Sequence, residues 1–221
     1  MVSGKETRVD DTILIVDDSP YIVDGLAALL KRKGYKPLTA YGGDEAIGIL
    51  ASTLPDLILL DIMMEPMDGW ETLDRIKANP ATNDVPVLMF SAKKITAEEA
   101  HDHSLKIEDF VSKPVNPAHL MESIKRVFQR RCDVKLEAIV AKDAGFDPAL
   151  IEEYSALRKS IEVDQNLLTV LKNASGIQNH AREVPPEDLA AIQRLEDKIA
   201  SDEKRLKEIN EKFPKCPSTS Q

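Results

Sequence analysis

Residues 59–70 read LLDIMMEPMDGW, and this stretch decides the fold. It begins inside the apolar run 57–60, which passes directly to a carboxylate, Asp61. A short apolar run that ends at a loop is typical of a strand buried on both faces of a parallel sheet. A buried strand that finishes on an ionisable group indicates either an ordinary loop acid or a chemical site.

Similar short runs recur through the first 131 residues. The five predicted strands are residues 12–16, 36–40, 56–60, 85–90 and 107–111. Apolar residues recur at helical spacing between the strands and after the last one. Ser19-Pro20 and Asn116-Pro117 are helix-start signals, and Gly34 is a helix-end signal. This alternation predicts an α/β domain, residues 11–131, with a parallel sheet covered by helices on both faces.

The sequence after Arg131 contains only helical patterns. Residues 132–144 either extend the preceding helix or form a new one before Gly145. Asp147-Pro148 predicts the start of a helix that reaches about residue 174. Pro185-Pro186 predicts the start of another, which Pro214 ends.

Both of these long helices carry an apolar seam with 4–3 spacing. Asp164 interrupts the first seam and Asp202 interrupts the second. The two seams favour an antiparallel, coiled-coil-like hairpin within residues 132–214. Residues 1–10 and 215–221 are predicted to be tails, the latter disordered.

Composition narrows the class of protein. The chain has 221 residues, of which 43% are apolar and 30% charged, and its formal net charge is −9. This acidic balance argues against nucleic acid or an anionic membrane as the main partner. Cys132 and Cys216 lack metal-ligand spacing and fit a reducing cytoplasm. No stretch is apolar enough for a secretion signal or a membrane span, so we expect a cytoplasmic protein.

Three carboxylates follow neighbouring strands of the predicted sheet. Asp17 and Asp18 come directly after the first strand, and Asp61 ends the third. Ligands of doubly wound sheets bind beyond the carboxyl ends of the strands, so these groups should converge. Like charges at close range raise each other's pKa unless a cation neutralises them. Mg²⁺ suits a site with few carboxylates, several waters and a phosphate oxygen.

A hydroxyl and an ammonium group are expected at the same edge. Ser91 ends the fourth predicted strand, and Lys113 follows the fifth. Mg²⁺, an ammonium and a hydroxyl around one carboxylate form a suitable environment for a phosphoryl group. The carboxylate itself can be the nucleophile, which would form an aspartyl phosphate.

These residues together resemble the receiver domain of two-component response regulators. The motifs that carry the resemblance are Asp17-Asp18, Asp61 followed by M-x-x-M-D-G, Ser91-Ala92, Phe110 and Lys113-Pro114. The resemblance covers about residues 11–131 and implies a flavodoxin-like strand order, 2-1-3-4-5.

The resemblance also implies a role for each site residue. Asp61 would accept a phosphoryl group from a histidine kinase, and Lys113 would pair with the phosphate. Mg²⁺ would be held by Asp17, Asp18, Asp61 and the backbone carbonyl of Met63. Ser91 would turn toward the phosphate, and Phe110, the switch aromatic, would rotate inward.

Phosphorylation would act as a switch on the helical extension. A phosphoryl group adds about −1.5 to −2 charges, which biases a two-state surface. We expect the extension to be a dimerisation or partner-docking module with no separate enzymatic output. The alternatives are a transcriptional regulator with an atypical output and a phosphorelay scaffold. The extension shows no basic face, which disfavours DNA binding.

Two other motifs have competing interpretations. Residues 42–45, GGDE, are similar to the signature of diguanylate cyclases but fall where the second helix should start. His180 with Pro185 resembles the phosphorylated box of histidine kinases, although Ala181 and Arg182 depart from it. His101 and His103 are expected to be exposed.

The loop after Asp61 departs from the usual receiver pattern at Glu65-Pro66. The sequence leaves open whether Glu65 simply faces solvent or affects kinase choice or phosphate lifetime.

Overall fold

The computed structural model describes residues 11–92, 99, 103, 106–174 and 186–211. The strands are β1 (Thr12–Val16), β2 (Lys36–Ala40), β3 (Leu57–Asp61), β4 (Val87–Ser91) and β5 (Asp109–Ser112). The helices are α1 (Pro20–Arg32), α2 (Gly43–Leu50), α3 (Gly69–Ala78), α4 (Pro117–Asp143), α5 (Pro148–Ala174) and α6 (Pro186–Asn210). The predictions on residues 1–10, His101, His180, Pro214 and 215–221 lie outside the described residues.

The five strands form one parallel sheet in the order β2-β1-β3-β4-β5, as predicted. Every residue of β3 and β4 is buried, as is typical of central strands in a parallel sheet that is covered on both faces. β2 lies at the sheet edge and is more exposed. The register sets Asp61 of β3 beside Phe90 of β4, and Phe90 beside Val111 of β5.

Three strands begin later than the sequence pattern predicted. β4 starts at Val87 rather than residue 85, because Pro86 has no N–H to donate to a sheet ladder. Asp56 precedes β3, and its side chain accepts a hydrogen bond from the Thr12 N–H at 2.8 Å. β3 therefore runs from Leu57 and includes Asp61 as its last residue.

The glycine pair of the GGDE stretch starts α2, as the helix interpretation predicted. Gly43 is the first helical residue and is buried. A Cβ at this position would overlap the Thr72 hydroxyl and lie 2.7 Å from Met67 Sδ. Gly43 thus permits the close packing of α2 on α3, and this gives the motif a structural explanation.

The helix that follows β5 continues without a break to Asp143, so residues 132–143 extend it rather than forming a separate helix. Gly145 ends it with a φ of 80°, a left-handed conformation that favours glycine. The Phe146 N–H donates to the Ala141 carbonyl at 3.1 Å, which closes the helix end. Asp147 then caps α5 by accepting the Ala149 N–H at 3.0 Å, as predicted.

α5 and α6 form the predicted antiparallel helical hairpin. Polar side chains pair across it, and partner numbers fall along α6 as they rise along α5. The ion pairs are Glu153–Arg205, Asp164–Lys198 and Glu196–Lys172. The buried apolar residues of the two helices are Ile151, Ile161, Val163, Leu167, Leu171, Ile192, Leu195, Ile199 and Ile209.

The two aspartates that interrupt the seams lie in one polar layer. Ser160 Oγ lies 3.2 Å from Asp164 Oδ2 and 3.1 Å from Asp202 Oδ2. Lys198 Nζ donates to Asp164 Oδ2 at 2.5 Å and to Ser160 Oγ at 3.1 Å. Asp164 is fully buried, so this layer lies inside the hairpin.

The chain divides into two compact units, one with the sheet and one with α5 and α6. The change between them falls at Val127 and Phe128, within α4. In the part of the chain that the structure describes, no helix has the length and apolar character needed to cross a bilayer.

Candidate functional site

The predicted site residues gather at the carboxyl edge of the sheet. Asp61 is the last residue of β3, and Asp17 and Asp18 directly follow β1. Lys113 directly follows β5. Because β1, β3 and β5 are parallel, their carboxyl ends point the same way, and loops beyond them bring distant parts of the chain together.

One ammonium group joins two of the carboxylates. Lys113 Nζ donates to Asp17 Oδ2 and to Asp61 Oδ2, each at 2.6 Å. The side chains are 15% exposed for Lys113, 1% for Asp17 and 5% for Asp61. The ion pairs are therefore shielded from water. Charge–charge attraction is stronger in such a buried environment than at an open surface.

The environment of the Asp17 carboxyl disfavours its charged form. Burial raises the pKa of Asp17 above its ordinary value, and the nearby Asp61 carboxylate adds to the increase. Hydrogen bonds from Lys113 and from the Ser19 N–H, the latter at 2.8 Å, act in the opposite direction. The site thus still favours additional positive charge.

The carboxylates fit the predicted metal. One oxygen each from Asp17, Asp18 and Asp61 can be chosen so that all lie within 4.8 Å of one another. Asp18 is exposed while the other two are buried, so the cluster opens to water on one side. Hard oxygen ligands with access to water suit Mg²⁺. The Met63 N–H lies 3.3 Å from Asp61 Oδ1, which brings the backbone of the predicted carbonyl ligand beside the cluster.

The two predicted switch residues lie on β4 and β5. Ser91 is buried at the end of β4, one residue beyond the sheet partner of Asp61. Its carbonyl accepts the Lys113 N–H at 2.8 Å, so its backbone is tied to the site. Phe110 is only 2% exposed and pairs with Met89 of β4. The aromatic side chain therefore occupies a buried position in this structure.

The unusual loop pair Glu65-Pro66 faces solvent. Both residues are exposed, whereas the flanking Met64 and Met67 are buried. Glu65 is not a member of the carboxylate cluster around Asp61. Solvent exposure is the simpler of the two interpretations that the sequence left open.

Sequence reasoning missed two residues that touch the site. Lys113 Nζ lies 4.6 Å from the centre of the Phe90 ring. A Cβ on Gly69 would overlap the Asp61 carbonyl oxygen, so this glycine lets α3 approach the end of β3. Phe90 looked like ordinary strand core, and only the sheet register reveals that it lies beside Asp61.

Comparison with protein families divides the chain in two. Residues 13–125 match the response regulator receiver domain. Residues 130–217 match a second family, described as Metanogen output domain 2.

Individual relatives match about half of the chain. The chain is 34% identical to protein PilG of Pseudomonas aeruginosa, over 51% of this chain and 84% of that protein. It is 34% identical to the phosphate regulon transcriptional regulatory protein PhoB of the same species, over 55% of this chain and 53% of that protein. It is also similar to a solved structure, the N-terminal domain of a response regulator receiver protein from Methanoculleus marisnigri, with 57% identity. The match covers 52% of this chain and 94% of that chain, with a TM-score of 0.46. The chain spans about half the length of the first curated relatives it matches.

Proposed function

Since the chain belongs to the family of response regulator receiver domains of two-component systems, we propose that Asp61 accepts a phosphoryl group from a histidine kinase. The observation that carries this proposal is the shared ammonium. Lys113 Nζ lies 2.6 Å from carboxylate oxygens of both Asp61 and Asp17 at the carboxyl edge of the sheet. This arrangement pairs a nucleophile with a cation placed to meet the incoming charge.

In the proposed transfer, an Asp61 carboxylate oxygen attacks phosphorus. The bond between phosphorus and the kinase histidine nitrogen breaks, and the leaving imidazole takes up a proton from solvent. The phosphoryl oxygens bring new negative charge beside Asp61 and Asp17. Lys113 neutralises part of this charge, because its ammonium can exchange a carboxylate partner for a phosphate oxygen.

Asp17, Asp18, Asp61 and the carbonyl of Met63 would hold Mg²⁺. The ion would supply charge neutralisation at the phosphoryl oxygens. The burial of Asp17 and Asp61 supports this assignment, because buried like charges require compensation. The exposure of Asp18 leaves the carboxylate cluster open to solvent and thus to a phosphodonor.

The switch would involve Ser91 and Phe110. Ser91 would donate its hydroxyl to a phosphoryl oxygen, and Phe110 would fill the space beside β4. Both side chains are buried, so movement of either one has to displace its neighbours and can be transmitted to the surface near β5 and α4.

Phosphorylation of the receiver domain, residues 11–131, would control the association of the chain with a partner through the helical region, residues 132–214. The second half of α4 supports a self-association surface. Leu136, Ile139 and Val140 are 60%, 58% and 39% exposed and share one helix face by their i, i+3, i+4 spacing. Contiguous exposed apolar side chains of this kind mark interaction surfaces. A dimer of this chain is the proposed assembly, and a different helical partner is the competing outcome.

A transcriptional role is the second candidate, because one matched relative is a transcriptional regulatory protein. Residues 132–221 carry 17 acidic and 13 basic side chains, which disfavours the phosphate contacts that DNA binding needs. A band-shift assay at low salt that detects binding to genomic fragments would favour this candidate over the dimer.

The phosphoryl-transfer proposal is tested with a small phosphodonor and Mg²⁺. The native chain should become labelled, and omission of Mg²⁺ or the substitution Asp61→Asn should abolish the label. Asp56→Asn is the matched control, because Asp56 is an exposed carboxylate that directly precedes β3, at the end away from Asp61, and its substitution should not affect labelling. Equal labelling of native chain and Asp61→Asn would overturn the proposal.

A further inference from the structure

Phe90 lies on β4 directly beside the acceptor strand. Its Cα partners are Asp61 on β3 and Val111 on β5. Neighbouring partners in a parallel sheet direct their side chains to the same face, so Phe90 and Asp61 share a face. Side chains two residues apart in an extended chain point to the same face, so Lys113, two residues after Val111, lies on that face as well. The ring is fully buried, which fixes its orientation.

The Lys113 ammonium lies over this ring. Its Nζ is 4.6 Å from the ring centre while it donates to Asp17 and Asp61 at 2.6 Å each. A cation within about 6 Å of an aromatic face is attracted by the ring quadrupole, and more strongly where water is excluded. Lys113 is only 15% exposed, so this condition is met.

We propose that Phe90 is a positioning residue for phosphoryl transfer, whose ring face holds the Lys113 ammonium beside the Asp61 carboxylate. This inference rests on the proposed function of Asp61 as phosphoacceptor. A lysine has a long flexible stem, and two carboxylates alone fix its ammonium only while both remain its partners. The ring supplies an attraction from a third direction.

The ring matters most when the partners of the ammonium change. Phosphorylation converts one Asp61 carboxylate oxygen into the bridging oxygen of an acyl phosphate, and Lys113 then has to pair with the phosphoryl group. The ring neither titrates nor reacts, so its attraction is the same before and after transfer. Phe90 thereby keeps the ammonium at the site throughout, which an aliphatic residue at this position would not do.

Fluorinated phenylalanines at position 90 test the proposal. Successive fluorine atoms weaken the attraction of the ring for a cation while almost preserving its shape. Replacement of Phe90 by 4-fluoro- and then 3,4,5-trifluorophenylalanine should slow labelling by a small phosphodonor in graded steps, by about two- to tenfold in total. The same analogues at Phe146, in the turn between α4 and α5, should leave the rate unchanged.

A second readout needs no phosphorylation. In Mg²⁺-free protein, the ring current of Phe90 should shift the NMR signals of the Lys113 terminal methylene upfield. Phe90→Leu should remove this shift, and Phe90→Tyr should retain it. This measurement remains decisive if the native chain cannot be labelled, a result that would reject the proposed function of Asp61 but not the contact.

Two results would overturn the inference. One is a labelling rate that stays constant across the fluorinated series. The other is a Lys113 methylene signal that does not change in Phe90→Leu while the chain keeps its native circular dichroism spectrum.

Discussion

At the level of single residues, one ammonium shared by Asp17 and Asp61 organises the site. Lys113 lies 96 positions after Asp17 and 52 after Asp61 in the chain, so the contact depends on the whole sheet. The sequence predicted that these residues would converge, since each follows the end of a strand. It could not predict that Phe90 would complete the environment of the ammonium, because that contact depends on the register between β3 and β4.

Asp17 should reduce the stability of the metal-free protein at neutral pH. Burial raises its pKa above the ordinary value of 3.8. A carboxyl with a raised folded-state pKa costs no stability below its unfolded-state pKa, where it is protonated in both states. The fold loses stability as the pH rises through the folded-state pKa, because the buried group then has to carry a charge. Asp17→Asn lacks this titration and should therefore unfold at a higher temperature than the native chain at pH 7.

Thermal unfolding without MgCl₂ measures the effect of Asp17→Asn on the metal-free protein, and unfolding with MgCl₂ measures the effect of metal binding. Mg²⁺ should stabilise the native chain by binding its folded state, and Asp17→Asn should lose most of that gain. Asp24→Asn, at an exposed position on α1, should behave like the native chain. A lower unfolding temperature for Asp17→Asn in the absence of Mg²⁺ would contradict this account.

Gly69 is required by the close approach of α3 to the end of β3. A Cβ there would overlap the Asp61 carbonyl oxygen and lie 2.7 Å from Ile62 Cα. Gly69→Ala should lower the free energy of unfolding by about 1–3 kcal/mol, the usual cost of overpacking. Urea denaturation measures this change.

Gly48 provides the opposite case for comparison. It lies within α2, and a Cβ there would meet no heavy atom within 4 Å. Gly48→Ala should therefore raise the free energy of unfolding by about 0.5–1 kcal/mol. Equal effects at the two glycines would show that helix propensity, not contact with Asp61, decides the outcome at Gly69.

At the level of helices and strands, the sequence predicted whether a segment is a helix or a strand better than it predicted which side chains meet between segments. All five strands and the positions of α5 and α6 follow from apolar spacing, proline and glycine. Asp164 and Asp202 were visible only as two separate interruptions of apolar seams. Their meeting through Ser160 depends on the alignment of two helices whose relevant residues are about 40 positions apart, and spacing within one helix does not determine that alignment.

Removal of one charged partner from the polar layer of the hairpin should lower the stability of the fold. Asp164 is fully buried, and its Oδ1 has no hydrogen-bond partner among the described residues. Asp164→Leu leaves the Lys198 ammonium without its main partner and should lower the free energy of unfolding by about 1–3 kcal/mol, since Lys198 retains some exposure. Asp164→Leu with Lys198→Met should recover this loss or exceed native stability.

Urea denaturation of the full chain distinguishes the two outcomes for this layer. Glu196→Gln is a suitable control, because its ion pair with Lys172 is more exposed and should contribute less. A double variant no more stable than Asp164→Leu alone would show that the layer stabilises the hairpin in ways that apolar packing cannot replace.

At the level of the whole molecule, the receiver fold follows from the sequence, whereas the assembly does not. The order β2-β1-β3-β4-β5 was implied by the family motifs and is confirmed. The exposed face of Leu136, Ile139 and Val140 was not predicted, because the sequence left open whether residues 132–144 continued the preceding helix. An exposed apolar face is recognisable only once the buried faces are known.

Self-association should respond to the phosphorylated state. The mass in solution, measured by light scattering, should increase when beryllofluoride and Mg²⁺ mimic phosphorylation. Leu136→Glu with Ile139→Glu should prevent the increase, because charges would replace the apolar contact surface. A monomeric mass for the native chain under both conditions would reject the dimer and direct attention to a different helical partner.

The central claim is that Asp61 is the phosphoacceptor, and chemical mapping of the labelled residue tests it most directly. Borohydride reduces an aspartyl phosphate to homoserine, which mass spectrometry of the digested chain can locate. After treatment with a phosphodonor and Mg²⁺, we predict homoserine at position 61 and unmodified Asp17 and Asp18. Labelled protein with homoserine at another position, or with aspartate intact at position 61, would contradict the account.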